Sequence, residues 1–319
     1  MMIIDAHLHT NFIGFNNHNI IDYLNNNNID KCWLLTWEEL QPAIKSLYTH
    51  LSIDDIMEVY DKYPDRIVPF YAPDPKTKDL GKVFKTYANK GIRGVGELKV
   101  NFNWDSPEMI HYLDEVNKTN FPLLFHMEID RHQYIRSGNS RLHIIIEKIM
   151  NGGFNGIMRR HIENFVEKTG FFKNRLRKNL TYFPGYLFNF YEFEKRLQEY
   201  PKINFIAHGP HFWNNISASP VYKIGFTKGR VRKAGIIYEL LKKYDNLYAD
   251  ISGKSGYIAL SRDKKFSNFF LNEFSHKLLF GTDNHNMGHL KMLKSFKLPK
   301  NKEDLILYKN AESLTNKEL

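Results

Sequence analysis

The chain has 319 residues, 42% of them hydrophobic and 25% charged, with a formal charge of +10. This is the composition of a folded globular protein whose core is large enough to need no covalent staples. Its single cysteine, Cys32, excludes an internal disulfide and a cysteine-built zinc cage. The first ten residues hold an acid and two histidines where a secretory leader would be apolar, and no apolar run is long enough to cross a bilayer. A cytoplasmic protein with no membrane partner is therefore expected.

Eight short apolar runs recur along the chain: MIIDAHLH (2–9), KCWLLTW (31–37), RIVPFYAPDP (66–75), GIRGVGELKV (91–100), FPLLFHME (121–128), INFIAHGPHF (203–212), NLYADISG (246–253) and KLLFGTDN (277–284). Each is rich in aliphatic or aromatic residues and ends in polar residues or glycine, as a buried parallel strand does. Between them, SIDDIMEVYDKY (52–63) and GIIYELLKKY (235–244) carry apolar residues at helical spacing. Eight strand–helix units predict an α/β fold, a (β/α)8 TIM-type barrel, with a doubly wound open sheet as the alternative. Residues 129–202 are too long for a plain connection between the fifth and sixth strands, and stretches such as 140–150 and 193–200 give them a helical reading. They are expected to form a helical insertion within a single domain spanning 1–319. A shorter excursion covers 213–234, and 303–315 reads as a closing helix.

The positive charge is concentrated. Residues 131–196 hold 13 Lys and Arg against five Glu and no Asp, a net of +8. Because both long connections leave the C-terminal ends of strands, this basic segment is placed to cover the mouth where barrels of this kind keep their sites.

Side chains two apart on a strand share a face, so His7 and His9 offer two adjacent imidazoles at the rim. They suit zinc or a similar ion. Strand five ends at His126, strand six at His208 and strand eight at Asp283, so four strand ends on one side of the barrel carry nitrogen or carboxylate donors. Strand four adds Glu97, a further carboxylate ligand candidate, and Lys99, a candidate contact for an anionic substrate. Such a set points to hydrolysis by metal-activated water, with Asp283 as ligand and proton acceptor and His208 as polarising group or general acid–base. The alternative for each single residue is a polar group that merely closes its strand.

With these residues in view, the chain resembles the amidohydrolase superfamily, and more closely its amidohydrolase-related branch of aminocarboxymuconate semialdehyde decarboxylase relatives and uncharacterised metal-dependent hydrolases. The resemblance is carried by DAHLH (5–9), GVGELK (94–99), FH (125–126), AHGPHFW (207–213), YADISG (248–253) and LLFGTDN (278–284). It implies metal ligands at His7, His9, His126 and Asp283, with His208 beside the metal or bound to a second ion. It also implies that the small β-sandwich domain of some members is missing. One zinc is expected, with a second through Glu97 and His208. The strand-four GVGEL is also similar to a TatD-like motif whose glutamate binds metal.

A metal-dependent hydrolase of a small, anionic substrate is the leading expectation. The runner-up is a zinc-dependent, non-oxidative decarboxylase of an aromatic carboxylic acid, for which Phe125, Phe212 and Trp213 would line the mouth. Lower stands a TatD-like phosphoesterase or nuclease that uses Arg159, Arg160, Lys173, Arg175, Arg177 and Lys178; no nucleic-acid recognition motif accompanies that charge. A non-catalytic binding barrel leaves the metal constellation unexplained. Homo-oligomerisation stays open.

Overall fold

The computed structural model describes residues 2–37, 51–129, 131–136, 140–145, 161, 168, 176–183, 187–220, 226–285 and 287–316. Every one of the eight expected runs contributes a strand. They are β1 (Ile4–Leu8), β2 (Lys31–Leu35), β3 (Ile67–Phe70), β4 (Val95–Leu98), β5 (Leu123–His126), β8 (Phe205–His208), β9 (Leu247–Asp250) and β10 (Leu278–Leu279). Two further strands, β6 (Arg131–Arg136) and β7 (Leu176–Phe183), lie in the long insertion.

Regular parallel pairing joins β1-β2-β3 in one sheet and β10-β9-β8-β5-β4 in another. The ladders stop at two seams. An isolated parallel bridge between Phe70 and Gly94 spans the first. Across the second, the Ala6 N–H donates to the Phe280 carbonyl at 2.9 Å and the Asp283 N–H to the His7 carbonyl at 2.8 Å. The strand order is that of a TIM-type barrel, not of an open doubly wound sheet.

Helices follow the strands on the outside. In α2 (Ile53–Lys62), Ser52 accepts from the Asp55 N–H while the Asp55 carboxylate accepts from the Ser52 N–H. This reciprocal cap satisfies two otherwise orphaned donors. Ile53, Ile56, Met57 and Val59 form its buried face. In α4 (Pro107–Asn117), Ser106 caps and Pro107 opens the helix, where a missing N–H costs nothing. The closing helix expected over 303–315 is present within 300–315, and it contains a π-helical turn at Leu305–Lys309.

Two apolar layers result. The larger lies between strands and helices, and the smaller fills the barrel with Ile4, Ala6, Trp33, Leu35, Phe70, Leu124, Ile206 and Leu279, joined by Ala311 and Leu314 of the closing helix. The alternation along β1 changes phase. Ile4 and Ala6 face the barrel interior while Leu8 faces the helices, and the pairing register slips between Asp5 and Leu8. Strand β4 slips in the same way between Val95 and Leu98. Such bulges re-aim side chains beside functional sites.

The insertion differs from expectation. Its described part contains an antiparallel pair, β6 with β7, one helical turn over 141–145, and a helix at Phe190–Glu199. Thr181, Tyr182 and Phe183 in β7 and Tyr134 and Ile135 in β6 are β-branched or aromatic, which favours strands over helix. Residues 146–150 of the expected helix, with Arg159, Arg160, Lys173 and Arg175, lie outside the described residues. No helix among the described residues is long and apolar enough to cross a membrane.

The first seam depends on a missing side chain. A Cβ on Gly94 would stand 2.1 Å from the Phe70 ring, which is fully buried and stacked on Trp33 at 4.5 Å. Gly94→Ala is expected to lower the Tm, with a loss of about 1–3 kcal/mol from overpacking. Thermal denaturation followed by circular dichroism checks this, and an unchanged Tm would mean that Phe70 has room to move.

Candidate metal centre

The candidate residues converge at the C-terminal ends of the strands. His7 lies on β1 with His9 just beyond it, Glu97 on β4 with Lys99 just beyond it, and His126, His208 and Asp250 close β5, β8 and β9. Asp283 follows β10. His7, His9, Glu97, Lys99, His126, His208 and Asp250 are buried, whereas the Asp283 side chain is 15% exposed.

The segment after β10 is tied to β1 residue by residue. Thr282 donates its N–H to Asp5 at 3.0 Å and its hydroxyl at 2.6 Å. Asn284 accepts the His9 N–H at 2.9 Å and donates to the His9 carbonyl at 2.7 Å. Asp283 and Asn284 both adopt positive φ, +52° and +57°, a region that these two residue types tolerate better than most. Burial raises the Asp5 carboxyl to about 7, against the pull of the Thr282 and His7 donors. The loop after β8 is tight as well. Gly209 has φ +105°, and a Cβ there would lie 2.6 Å from the Met127 carbonyl.

The ring nitrogens are committed in a way that fixes their lone pairs. His9 Nδ1 lies 3.0 Å from the Leu35 carbonyl, which can only accept, so Nδ1 carries the proton. His7 Nδ1 donates to Asp250 Oδ2 at 2.9 Å, and His208 Nδ1 to Asp250 Oδ1 at 2.9 Å. Each ring therefore turns Nε2 toward the interior. His7 Nε2 and His9 Nε2 stand 3.1 Å apart. Two lone pairs cannot hydrogen-bond to each other; a proton or a metal ion between them resolves the contact.

Glu97 lies between two such groups. Its Oε2 is 3.4 Å from His9 Nε2 and 4.0 Å from His7 Nε2. Its Oε1 is 2.7 Å from His126 Nδ1 and 3.9 Å from His208 Nε2. Asp283 adds Oδ1, 3.7 Å from both His7 and His9, and Oδ2, 3.8 Å from His208. The donor atoms fall into compact sets, of which His7–His9–Glu97 and Glu97–His126–His208 share one carboxylate, and His7–His208–Asp283 crosses between them. Nitrogen and carboxylate donors in this mixture fit zinc or another first-row divalent ion. His126, expected alongside His7, His9 and Asp283, groups with Glu97 and His208 instead.

The electrostatics agree with this. Burial pulls the His7 imidazole down, but the carboxylates of Asp250, Asp283 and Glu97 outweigh it and hold it at about 9. Burial and the Lys99 charge pull His126 down to about 3, despite Glu97. Burial raises the Glu97 carboxyl, and the Lys99 charge together with the His126 hydrogen bond more than offsets it, leaving Glu97 well below its ordinary range. Lys99 rests its ammonium 4.4 Å over the Trp37 ring, a cation–π contact that orients it.

Some expectations change. Phe125, Phe212 and Trp213 do not line the mouth: all three are buried in the layer between strands and helices. Phe125 packs on Trp104, and Trp213 donates its indole N–H to the Asp250 carbonyl. Alternation places Phe125 on the outer face of β5, and Phe212 and Trp213 lie in the short helix Pro210–Asn214 that follows β8. Asp250, Asn284 and Asp5 were not singled out from sequence. The available signal for Asp250 was its place at a strand end, the same signal that marks His126 and His208.

A proton at His7 stabilises the metal-free fold. Its pKa rises from 6.5 to about 9 on folding, so that contribution is full below pH 6.5 and is lost as pH climbs through 9. The Tm of metal-free protein is expected to fall across that window. Calorimetry at several pH values checks this, and a flat or rising Tm would place the proton elsewhere. Zinc binding near pH 7.5 should release a proton, read from the dependence of binding enthalpy on buffer ionisation.

No family model matches the chain, and no curated protein matches it. Solved structures do. A probable 2-pyrone-4,6-dicarboxylic acid hydrolase from Acinetobacter baumannii, with citric acid bound, superposes with a TM-score of 0.56 at 15% identity, covering 99% of this chain and 100% of that one. The 5-carboxyvanillate decarboxylase of Sphingomonas paucimobilis gives 0.56 at 10% identity, over 99% of each chain. An uncharacterised TIM-barrel protein from Bordetella bronchiseptica gives 0.57 at 14% identity, over 98% of each. At these identities the likeness establishes the fold, and the fold is the TIM-type barrel.

Proposed function

We propose that the protein is a metal-dependent hydrolase of a small carboxylate-bearing substrate. The observation that carries this reading is the pair of buried, convergent imidazoles of His7 and His9, with Glu97 and Asp283 completing the set. The resemblance of the sequence motifs to the amidohydrolase superfamily supports the same reading. A divalent ion held there supplies Lewis acidity toward water and a carbonyl group. His7, His9, Glu97 Oε2 and Asp283 Oδ1 would hold one ion, and Glu97 Oε1, His126 and His208 a second; zinc suits both.

The chain's own groups then divide the remaining work. Asp283 is the more exposed of the two inner carboxylates, and its Oδ2 faces His208, so it is placed to take the proton of an attacking water. When only the first position is filled, His208, with Nδ1 fixed on Asp250, presents Nε2 to the same space and can pass that proton to a leaving group; with the second position filled, Nε2 is a ligand and Asp283 alone carries the proton. Lys99 holds the substrate's carboxylate away from the acids. Decarboxylation of a small acid would use the same donors and the same Lys99, and two measurements separate the reactions: hydrolysis consumes water without gas release, and decarboxylation releases carbon dioxide.

Metal content by plasma mass spectrometry, followed by a screen of lactones, amides and esters of small dicarboxylic acids, tests the reading. Zinc-reconstituted protein should turn over at least one of them. Asp283→Asn is expected to lower kcat by about 10²–10⁴-fold. Lys99→Met is expected to raise KM for the anionic substrate with a smaller effect on kcat. Full activity in Asp283→Asn, or absence of bound metal after reconstitution, would sink the proposal.

A further inference from the structure

Asp250 belongs to none of the donor sets, yet it touches both. It is fully buried at the end of β9. Its Oδ2 takes the Nδ1–H of His7 at 2.9 Å, and its Oδ1 takes the Nδ1–H of His208 at 2.9 Å. The two rings lie side by side, with centroids 4.4 Å apart. Oδ1 also receives the Ser252 N–H at 3.0 Å and the Ser252 hydroxyl at 2.5 Å. One carboxylate thus fixes one ligand of each proposed ion position, from the side opposite to Glu97.

We propose that Asp250 is a positioning residue that couples the tautomers of His7 and His208, one ligand of each ion position. The inference rests on the two-position reading of the site. The coupling comes from proton accounting. A carboxylate offers only acceptors, so both rings must protonate Nδ1 and turn a bare Nε2 inward. An amide in the same place offers one oxygen and one NH₂ group. Three donors converge on the Oδ1 place, namely the Ser252 N–H, the Ser252 hydroxyl and the His208 N–H. An amide oxygen settles there. Its NH₂ then faces His7, whose Nδ1 must become the acceptor and whose proton moves to Nε2, where the ion belongs.

Asp250→Asn is therefore selective. It is expected to weaken the position held by His7, His9 and Asp283 by about 10–100-fold, and to leave the Glu97–His126–His208 position close to wild type. Chelator-competed zinc titrations of the full chain read both positions, with circular dichroism confirming the fold. Wild type should bind two zinc ions, and the variant should keep one at near-native affinity. Two unaltered affinities in Asp250→Asn would overturn the proposal. Fewer than two ions in wild type would overturn the two-position reading itself, and the coupling with it. If Asp250→Asn does not fold, the wild-type protein still decides. In zinc-loaded, ¹⁵N-histidine-labelled protein, nuclear magnetic resonance should show His7 and His208 both protonated at Nδ1. A bare Nδ1 on either ring would refute the role of Asp250.

Discussion

Two imidazole lone pairs held face to face inside a protein are a constraint that everything around them must satisfy. His7 and His9 are forced into that position because their other nitrogens are committed, one to a carboxylate and one to a main-chain carbonyl. A buried contact of this kind demands positive charge, and the surrounding acids are arranged to keep it there. Asp250 lies behind His7, and Asp283 and Glu97 lie in front. Lys99 moderates the excess of negative charge on the Glu97 side without entering the donor set. Read this way, the centre is an electrostatic cavity shaped for a cation, and its walls are polarised before any ion arrives.

The backbone that presents these groups is irregular at two places. A strict alternation along β1 would send His7 and His9 to the helix side once Ile4 and Ala6 face the barrel. The register slip between Asp5 and Leu8 reverses the phase, and the slip in β4 does the same for Glu97 behind Val95 and Gly96. A bulge makes the interior serve two purposes along one strand, with apolar packing below and polar donors above. The closing helix completes the arrangement by filling the floor with Ala311 and Leu314, so that the barrel is a packed core with a polar rim.

Much of this was legible in the sequence. The eight strands were readable because buried parallel strands appear as short apolar runs, and their polar ends named His7, His9, Glu97, His126, His208 and Asp283 as neighbours. Pattern reading could not show how the donors divide, because alternation places a residue on a face but not opposite a particular partner. His126 was expected with His7 and His9, and its Nδ1 lies 2.7 Å from Glu97 Oε1, in the set completed by His208. Asp250 was hidden because its task is to hold other ligands, and the residue type at a strand end does not distinguish that from holding an ion. The aromatic residues were misread for a related reason. Phe125 alternates with His126, so a histidine that faces inward sends its neighbour outward. The antiparallel pair of β6 and β7 escaped notice because its strands mix basic and polar residues with the apolar ones, and pairing between segments about 40 residues apart leaves little local trace.

The tie between β1 and the segment after β10 joins residues 275 positions apart in the chain. All of the intervening chain must be made before His9 can meet Asn284, so the donor set is complete only once the segment after β10 is in place. His7 and His9 precede Asp283 and Asn284 in the chain and remain an incomplete donor set until the segment after β10 docks on β1. A chain broken off before residue 282 keeps His7, His9, His126 and His208 but lacks Asp283 and the Asn284 tie to the His9 backbone. An ion held there would bridge β1 and the segment after β10, a closure between distant parts of the chain whose loop entropy must be met before the contact forms.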